Sequence, residues 1–222
     1  MLSILYEDNH LLVINKNAGT LVQGDETGDK PLVEIGKEYI KEKYKKPGEV
    51  FLGVVHRLDR PVSGVVVFAR TSKALERMNA LFRNKETEKT YWALVANRPP
   101  HQEDRLIHWL VKDEKKNKTT AYKKENSQGQ LSELSYKLIS QKAGLYLLEV
   151  KPITGRPHQI RVQLASIGCP IVGDLKYGYE SPNDDASICL HARQLKFIHP
   201  VKKEPVTISA QLPKSKSWKL FE

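Results

Sequence analysis

The stretch that decides the fold reads HRLDRPVSG at residues 56–64 and continues directly into VVVFA at residues 65–69. Five consecutive apolar residues are typical of a buried strand, so the spacing predicts a charged loop at the lip of that strand. Within the loop, Asp59 stands between Arg57 and Arg60. Flanking cations favour the ionised form of a carboxylate, which can then act as a nucleophile or a base, and they attract a polyanion. The alternative is a surface loop of ion pairs, since charged residues are common in loops.

Apolar patterns on either side of this stretch alternate between strands and short helices. Strand patterns occupy residues 4–6, 11–14, 89–96, 134–139, 145–150, 195–198 and 206–210, with a further short strand indicated at 118–123. Apolar residues recur at helical spacing after Pro31, after the cap Thr71-Ser72 and after Pro157, which predicts three helices. Apart from that short strand, residues 98–130 are polar and basic and do not define an element. Residues 141–144 lie between the strand patterns 134–139 and 145–150 and predict a hairpin. The order predicts an α+β fold, with one domain over residues 1–222 and a mainly antiparallel or mixed sheet flanked by helices.

The composition indicates which classes of binding partner to consider. Lys and Arg outnumber Asp and Glu by 36 to 26, a net charge of +10 that is spread along the chain. Nucleic acid is therefore the first partner to consider, and an anionic membrane surface the second. Cys169 and Cys189 lack the spacing of a zinc site or a disulfide scaffold. With no secretory signal and no apolar run of membrane-spanning length, we expect a cytoplasmic protein.

A second dense segment reads KPITGRPHQIR at residues 151–161. The pattern predicts a tight turn before a helix, with Arg156 in the loop and Arg161 about one turn into the helix. Backbone donors at a helix start, together with arginines, favour a phosphate or a carboxylate. The alternative is a capped helix whose arginines are solvated.

These segments resemble the RluA-type family of RNA pseudouridine synthases. The family's first motif, an HRLD loop followed by Ser-Gly, is matched at residues 56–59 and 63–64. KTYWALV at 89–95 is similar to the second motif, and TGR at 154–156 with HQIR at 158–161 to the third. Further matches in the same order lie at residues 5–10, 15–16, 173–174 and 190–192. The resemblance covers nearly the whole chain and implies a pseudouridine-synthase-like catalytic domain.

The resemblance implies isomerisation of uridine to pseudouridine in RNA, in which the N-glycosidic bond breaks and uracil is rejoined through carbon. Asp59 would be the catalytic aspartate, and whether it attacks the sugar, attacks the base or removes a sugar proton stays open. Tyr91 would stack on the uracil and help to remove its ring proton, whereas Arg161 would pair with Asp59 and orient it. The reaction needs no cofactor and no metal, and we expect neither.

RNA contacts are expected from Arg57, His56, Arg156 and Lys16, with His56 acting as a hydrogen-bonded scaffold. The target uridine must leave its stack to reach Asp59. The partner would be ribosomal or transfer RNA and not a membrane, and the protein a monomer. General attraction of phosphates is expected from lysines 115, 116, 118, 123 and 124.

The chain departs from the family pattern at Val62, where threonine is usual, at Asn17, where proline is usual, and at Gln163, where histidine is frequent. These differences concern the subgroup and the RNA target. We expect no S4-like RNA-binding module. One alternative function is a non-catalytic RNA-binding or ribosome-assembly factor that retains the fold. Another is a hydrolase with an aspartate nucleophile, which would need a metal-binding acidic cluster where the neighbours of Asp59 are basic.

Overall fold

The computed structural model describes residues 2–222, and Met1 lies outside them. The strands and helices are, in chain order, β1 (Ile4–Glu7), β2 (Leu11–Lys16), α1 (Leu32–Lys43), β3 (Gly53–Val54), β4 (Ser63–Ala69), α2 (Ser72–Arg83), β5 (Glu88–Val95), β6 (Glu103–Asp113), β7 (Lys118–Tyr122), β8 (Gln130–Lys142), β9 (Leu145–Pro152), α3 (Gln159–Ser166), β10 (Leu190–Ile198), β11 (Pro205–Ser209) and α4 (Lys216–Lys219). Among residues 2–222, no helix combines the length and the apolar content that crossing a bilayer requires.

The chain forms two compact units. The first contains the residues up to Glu88 together with Ala192–Gln211, and the second contains Lys89–His191 together with Leu212–Glu222. Antiparallel strand pairs and helices occur in both units, which confirms the predicted α+β class. The expected single domain over residues 1–222 stays a prediction.

In the first unit, β2 pairs antiparallel with both β1 and β4, and β10 lies beside β4 and pairs with β11. Successive side chains of a strand point to opposite faces. Leu11 and Val13 pack with Met78 of α2 on one face. On the other face, α1 approaches so closely that a Cβ on Gly36 would lie 3.6 Å from Leu12. Helices on both faces explain why all seven residues of β4 are buried.

The helix starts follow local chemistry. The Thr71 hydroxyl accepts a hydrogen bond from the Ala74 amide at 3.1 Å, which confirms the predicted cap of α2. Pro31 precedes α1 as its N-cap residue rather than lying in its first turn. The helix predicted from Pro157 begins only at Gln159, because His158 takes a left-handed conformation with φ of 55° that a right-handed helix excludes.

The second unit contains five strands in the order β5-β9-β8-β6-β7, each antiparallel to its neighbour. The predicted hairpin is confirmed, since Ala143-Gly144 joins β8 to β9 and both residues have positive φ. Strand β6 lies in the segment that the sequence left undefined. Its inward face carries Leu106, His108 and Leu110, and the histidine in the middle interrupts the apolar pattern.

Gly64 supplies a test of the first unit. It has φ of 117°, and a Cβ there would lie 2.6 Å from the backbone nitrogen of Ala192 and nearer still to its carbonyl oxygen. We expect Gly64→Ala to lower the free energy of unfolding by about 2–5 kcal/mol, because backbone strain and a clash between strands add. Gly144→Ala is the matched control, since Gly144 also has positive φ, at 77°, but has open space around it. Urea unfolding that shows equal losses for both variants would contradict the close approach of β10.

Candidate active site

The Asp59 loop connects β3 to β4 and is anchored on both sides of the carboxylate. Leu58 and Val62 are buried, and the Val62 amide donates to the Asp59 carbonyl at 3.0 Å, which closes a turn. Asp59 itself is half-buried, while Arg57 and Arg60 are exposed. The predicted charged loop at the lip of a strand is confirmed, since residues 55–62 form a loop that leads directly into β4.

Arg60 serves the loop rather than its neighbouring aspartate. Its guanidinium pairs with Asp29 at 2.5 Å and donates through Nε to the Gly19 carbonyl at 3.0 Å. The Gly19 amide in turn donates to the Arg60 carbonyl at 2.8 Å. Arg60 therefore ties the loop to the turn after β2, and Arg57 is the exposed cation on the other side of Asp59.

Lys16 lies beneath this loop with only 1% of its surface exposed. Its Nζ donates to the carbonyl oxygens of Asn17, Thr20 and Arg60, at 3.1, 2.8 and 3.1 Å. Burial lowers the pKa of Lys16 to about 7, the Asp59 carboxylate opposes that shift, and Arg60 adds to it. The three N–H groups already have acceptors, so this placement disfavours the predicted RNA contact and favours a positioning role.

His56 also faces inward. Its Nε2 accepts a hydrogen bond from the Val67 amide at 3.2 Å, and its ring stacks on Phe82 with centroids 4.9 Å apart. A nitrogen that accepts from a backbone amide carries no proton itself. The geometry therefore supports the scaffold role expected for His56, which fixes the start of the loop against β4 and α2.

In the second unit, Arg161 forms a two-pronged ion pair with Asp174. Its Nε lies 2.7 Å from Oδ2 and its Nη2 lies 2.8 Å from Oδ1, and the residues are 5% and 1% exposed. The Tyr177 ring lies 5.0 Å from the guanidinium carbon. No role was predicted for Asp174, although it lies in the matched Gly-Asp pair at 173–174. The expected pairing of Arg161 with Asp59, a residue of the first unit, stays a prediction.

The loop before α3 is held by the side chain of Gln159. Its Oε1 accepts from the Thr154 hydroxyl at 2.8 Å and from the Arg156 amide at 3.0 Å, while its Nε2 donates to the Glu133 carbonyl at 2.9 Å. These bonds fix the backbone of Arg156 while its side chain is exposed. An exposed guanidinium on a rigid loop is suited to a phosphate. Sequence reasoning missed Gln159, because its role depends on where the loop folds back.

Tyr91 lies on β5 opposite Val150 of β9 and is half-buried. The predicted residues thus fall into two groups. The first unit brings Asp59 together with Lys16, His56 and Arg57, and the second contains Tyr91, Arg156 and Arg161.

The loop, the strand and the helix start that carry these residues also match known proteins. A sequence profile described as RNA pseudouridylate synthase matches residues 10–166. The chain belongs to the RNA pseudouridylate synthase family. The resemblance predicted from the motifs is therefore confirmed.

Two curated relatives show how the match extends along the chain. Ribosomal large subunit pseudouridine synthase C of Vibrio vulnificus (strain CMCP6) is 34% identical over 215 residues, which cover 94% of this chain and 65% of the relative. tRNA pseudouridine synthase C of Vibrio cholerae is 32% identical over 230 residues, which cover 96% and 91%. The chain thus spans about two thirds of the length of the first relative and nearly all of the second.

A solved structure supports the fold. Human RNA Pseudouridylate Synthase Domain Containing 4 matches with a TM-score of 0.79 and 26% sequence identity, over 96% of this chain and 89% of that one. A second human protein, RNA Pseudouridylate Synthase Domain Containing 1, matches with a TM-score of 0.75.

Lys16 supplies a test of the loop that is independent of any reaction. Lys16→Met keeps an unbranched buried side chain but removes the side-chain donor from three carbonyl groups, of which that of Arg60 keeps the Gly19 amide as a donor, so we expect a loss of about 1–3 kcal/mol in the free energy of unfolding. Tryptic cleavage after Arg57 should become faster as the loop loosens. Lys73→Met, at an exposed site in the first turn of α2, is the control. A cleavage rate equal to that of the control would mean that Lys16 does not hold the loop.

Proposed function

We propose that this protein is an RNA pseudouridine synthase that isomerises specific uridines in ribosomal or transfer RNA. The observation that carries the proposal is the HRLD loop of a chain in this family, with Asp59 half-buried and within electrostatic reach of the buried Lys16. A carboxylate that is fixed in place yet accessible is what the reaction requires of its catalytic group.

Asp59 acts as the catalytic aspartate in this proposal. The glycosidic bond from N1 of uracil to C1′ of the ribose breaks, the base turns within the site, C5 bonds to C1′ and loses its proton, and N1 gains a proton, so that the product is an isomer of the substrate. Tyr91 stacks on the uracil and assists removal of that proton. Arg161 is a positioning residue, and its fixed fork on Asp174 supports that role, since a rigid cation orients what it contacts.

RNA binding is assigned to exposed cations. Arg57 lies two residues before Asp59 and is exposed, as is Arg156 on the loop before α3. The net charge of +10 supports the same partner. The relatives' names refer to the ribosomal large subunit and to tRNA, which supports both classes of substrate. Cys169 and Cys189 are free thiols, which supports action in the cytoplasm, and we propose that the protein acts there as a monomer.

The proposal is tested at Asp59. Asp59→Asn removes the charge and keeps the size, so RNA should still bind while turnover falls by about 10³-fold or more, the scale on which loss of a reacting group acts. Tritium release from RNA labelled at C5 of uridine measures the reaction. Asp184→Asn removes an exposed carboxylate elsewhere and is the control. Tritium release at the wild-type rate from Asp59→Asn would refute the assignment.

The alternative, a non-catalytic RNA-binding or assembly factor, predicts a different pattern. The wild-type protein would then bind ribosomal or transfer RNA but release no tritium from any RNA offered to it. Asp59→Asn would leave both measurements unchanged. Mapping pseudouridine across total RNA with and without the protein identifies the substrate if release is observed.

Arg156 tests the binding surface. If its side chain neutralises one phosphate, Arg156→Ala should weaken binding to all RNA sequences and reduce the slope of log affinity against log salt by about 1. Arg83→Ala removes an equally charged, exposed side chain at the end of α2 and should leave the slope unchanged. Equal slopes for wild type and Arg156→Ala would place the phosphate contacts elsewhere.

A further inference from the structure

Helix α3 is fastened to the sheet of the second unit by a buried polar cluster that the proposed reaction does not use. His108 of β6 is 4% exposed and Gln163 of α3 is fully buried. Nε2 of Gln163 lies 3.0 Å from Nδ1 of His108, 3.1 Å from the Leu106 carbonyl oxygen and 3.4 Å from that of Ser132. Because the two carbonyl groups only accept, the amide nitrogen must face them, and Nδ1 of His108 must accept as well.

The other imidazole nitrogen completes the assignment. Nε2 of His108 lies 3.3 Å from the Ser166 hydroxyl oxygen, and that hydroxyl donates its own proton to the Gln163 carbonyl at 2.8 Å. The hydroxyl oxygen is therefore the acceptor for Nε2–H. The two N–H groups of the amide then serve three acceptors, with the 3.4 Å contact to Ser132 the longest, and no donor meets another donor when His108 is neutral and carries its proton on Nε2.

We propose that His108 and Gln163 form a latch that positions α3, and with it Arg161, and that a second proton on His108 opens the latch. The part of this inference that concerns Arg161 rests on the proposed function. His108 and Gln163 are positioning residues and touch no substrate.

The opening step follows from the geometry. A proton on Nδ1 would point at the N–H groups of Gln163, so an attraction becomes a repulsion. Turning the amide by half a rotation does not help, because its Oε1 would then face the carbonyl oxygens of Leu106 and Ser132. This Oε1 has no hydrogen-bond partner among residues 2–222. The orientation of the amide is therefore fixed by the hydrogen bonds that its N–H groups donate.

The surroundings of His108 disfavour that proton. Burial lowers the pKa of His108, and the charge of Lys123, just after β7, lowers it further. Gln163 and Ser166 of α3 face the ring as neutral groups, and the cross-strand partner of His108 on β8 is the neutral Ser132. The folded protein therefore binds this proton less readily than the unfolded chain. The stability that the latch contributes is complete above the ordinary pKa of histidine, about 6.5, and is lost as the pH falls through the folded value.

The latch is coupled to Arg161 through one short helix. Arg161 and Gln163 lie two residues apart in an eight-residue helix, so their side chains leave it on different sides. Arg161 contacts Asp174 and the Tyr177 ring, while Gln163 contacts β6 and β8. Loss of the Gln163 contacts allows α3 to shift relative to β6 and β8, and the Arg161 guanidinium shifts with the helix.

The first experiment needs no variant. Nitrogen-15 NMR of the wild-type imidazole groups across pH should show an unprotonated Nδ1 on His108 near neutral pH and a pKa below the ordinary value. The backbone amide signals of α3 should shift with the same midpoint. A His108 that titrates at or above its ordinary value, or α3 signals that do not follow it, would overturn the proposal.

The second experiment is His108→Asn, whose Oδ1 replaces Nδ1 as the acceptor for Gln163 but cannot be protonated. Tritium release is measured from about pH 8 down to about one pH unit below the midpoint that the NMR titration gives for His108, because the pKa of this buried histidine lies below its ordinary value. The loss of turnover over this range should be smaller than in the wild type by roughly threefold or more. His101→Asn, at an exposed histidine, is the control and should keep the wild-type profile. An unchanged profile for His108→Asn would overturn the latch.

The outcomes separate this inference from the proposed function. If the wild-type protein releases no tritium at any pH, the function fails while the NMR titration still decides the latch. If His108→Asn does not fold, the same titration of the wild type decides it.

Discussion

The hydrogen bonds of the buried Lys16 Nζ are the interaction on which the position of the Asp59 loop in the first unit depends. One side chain at the end of β2 donates to carbonyls on the turn that follows β2 and on the Asp59 loop, so two segments far apart in sequence share one donor. Because an unpaired buried polar group is costly, the loop cannot move without leaving either the lysine or the carbonyls unsatisfied. The position of the Asp59 loop is therefore fixed by the buried Lys16 side chain, while Asp59 itself is half-buried.

In the second unit, Arg161 is likewise held in position, but by different contacts. Arg161 is held by the carboxylate of Asp174 and by the ring of Tyr177, while the start of its helix is held by Gln159 and its middle by Gln163. A helix of eight residues is too short to be stable by itself. Its order comes from these contacts together with the burial of Ile160, Val162 and Leu164, and the buried polar residues of α3 are those whose side chains form the contacts.

The sequence predicted what local patterns encode and missed what only the folded chain brings together. The apolar run 65–69, the Thr71 cap and the Ala143-Gly144 hairpin were correct, because each depends on neighbouring residues. Strand β6 was missed because His108 breaks its alternation. The functional loop was found through its motif, whereas the burial of Lys16 and the pairing of Asp174 depend on residues far away in sequence. The sequence does not distinguish a buried lysine from an exposed one. It also does not show which three carbonyl groups will accept hydrogen bonds from that lysine.

The positively charged side chains discussed above therefore fall into two groups, one buried and one exposed. Lys16 and Arg161 are 1% and 5% exposed and orient parts of the protein, whereas Arg57 and Arg156 are exposed and suited to RNA. Salt screens exposed charges over about 8 Å at physiological ionic strength and acts much less on buried pairs. Raising the salt concentration should then weaken RNA binding while leaving the geometry around Asp59 intact. In the proposed function, affinity for RNA and positioning of the reacting groups are therefore separate, because they rest on side chains in different dielectric surroundings.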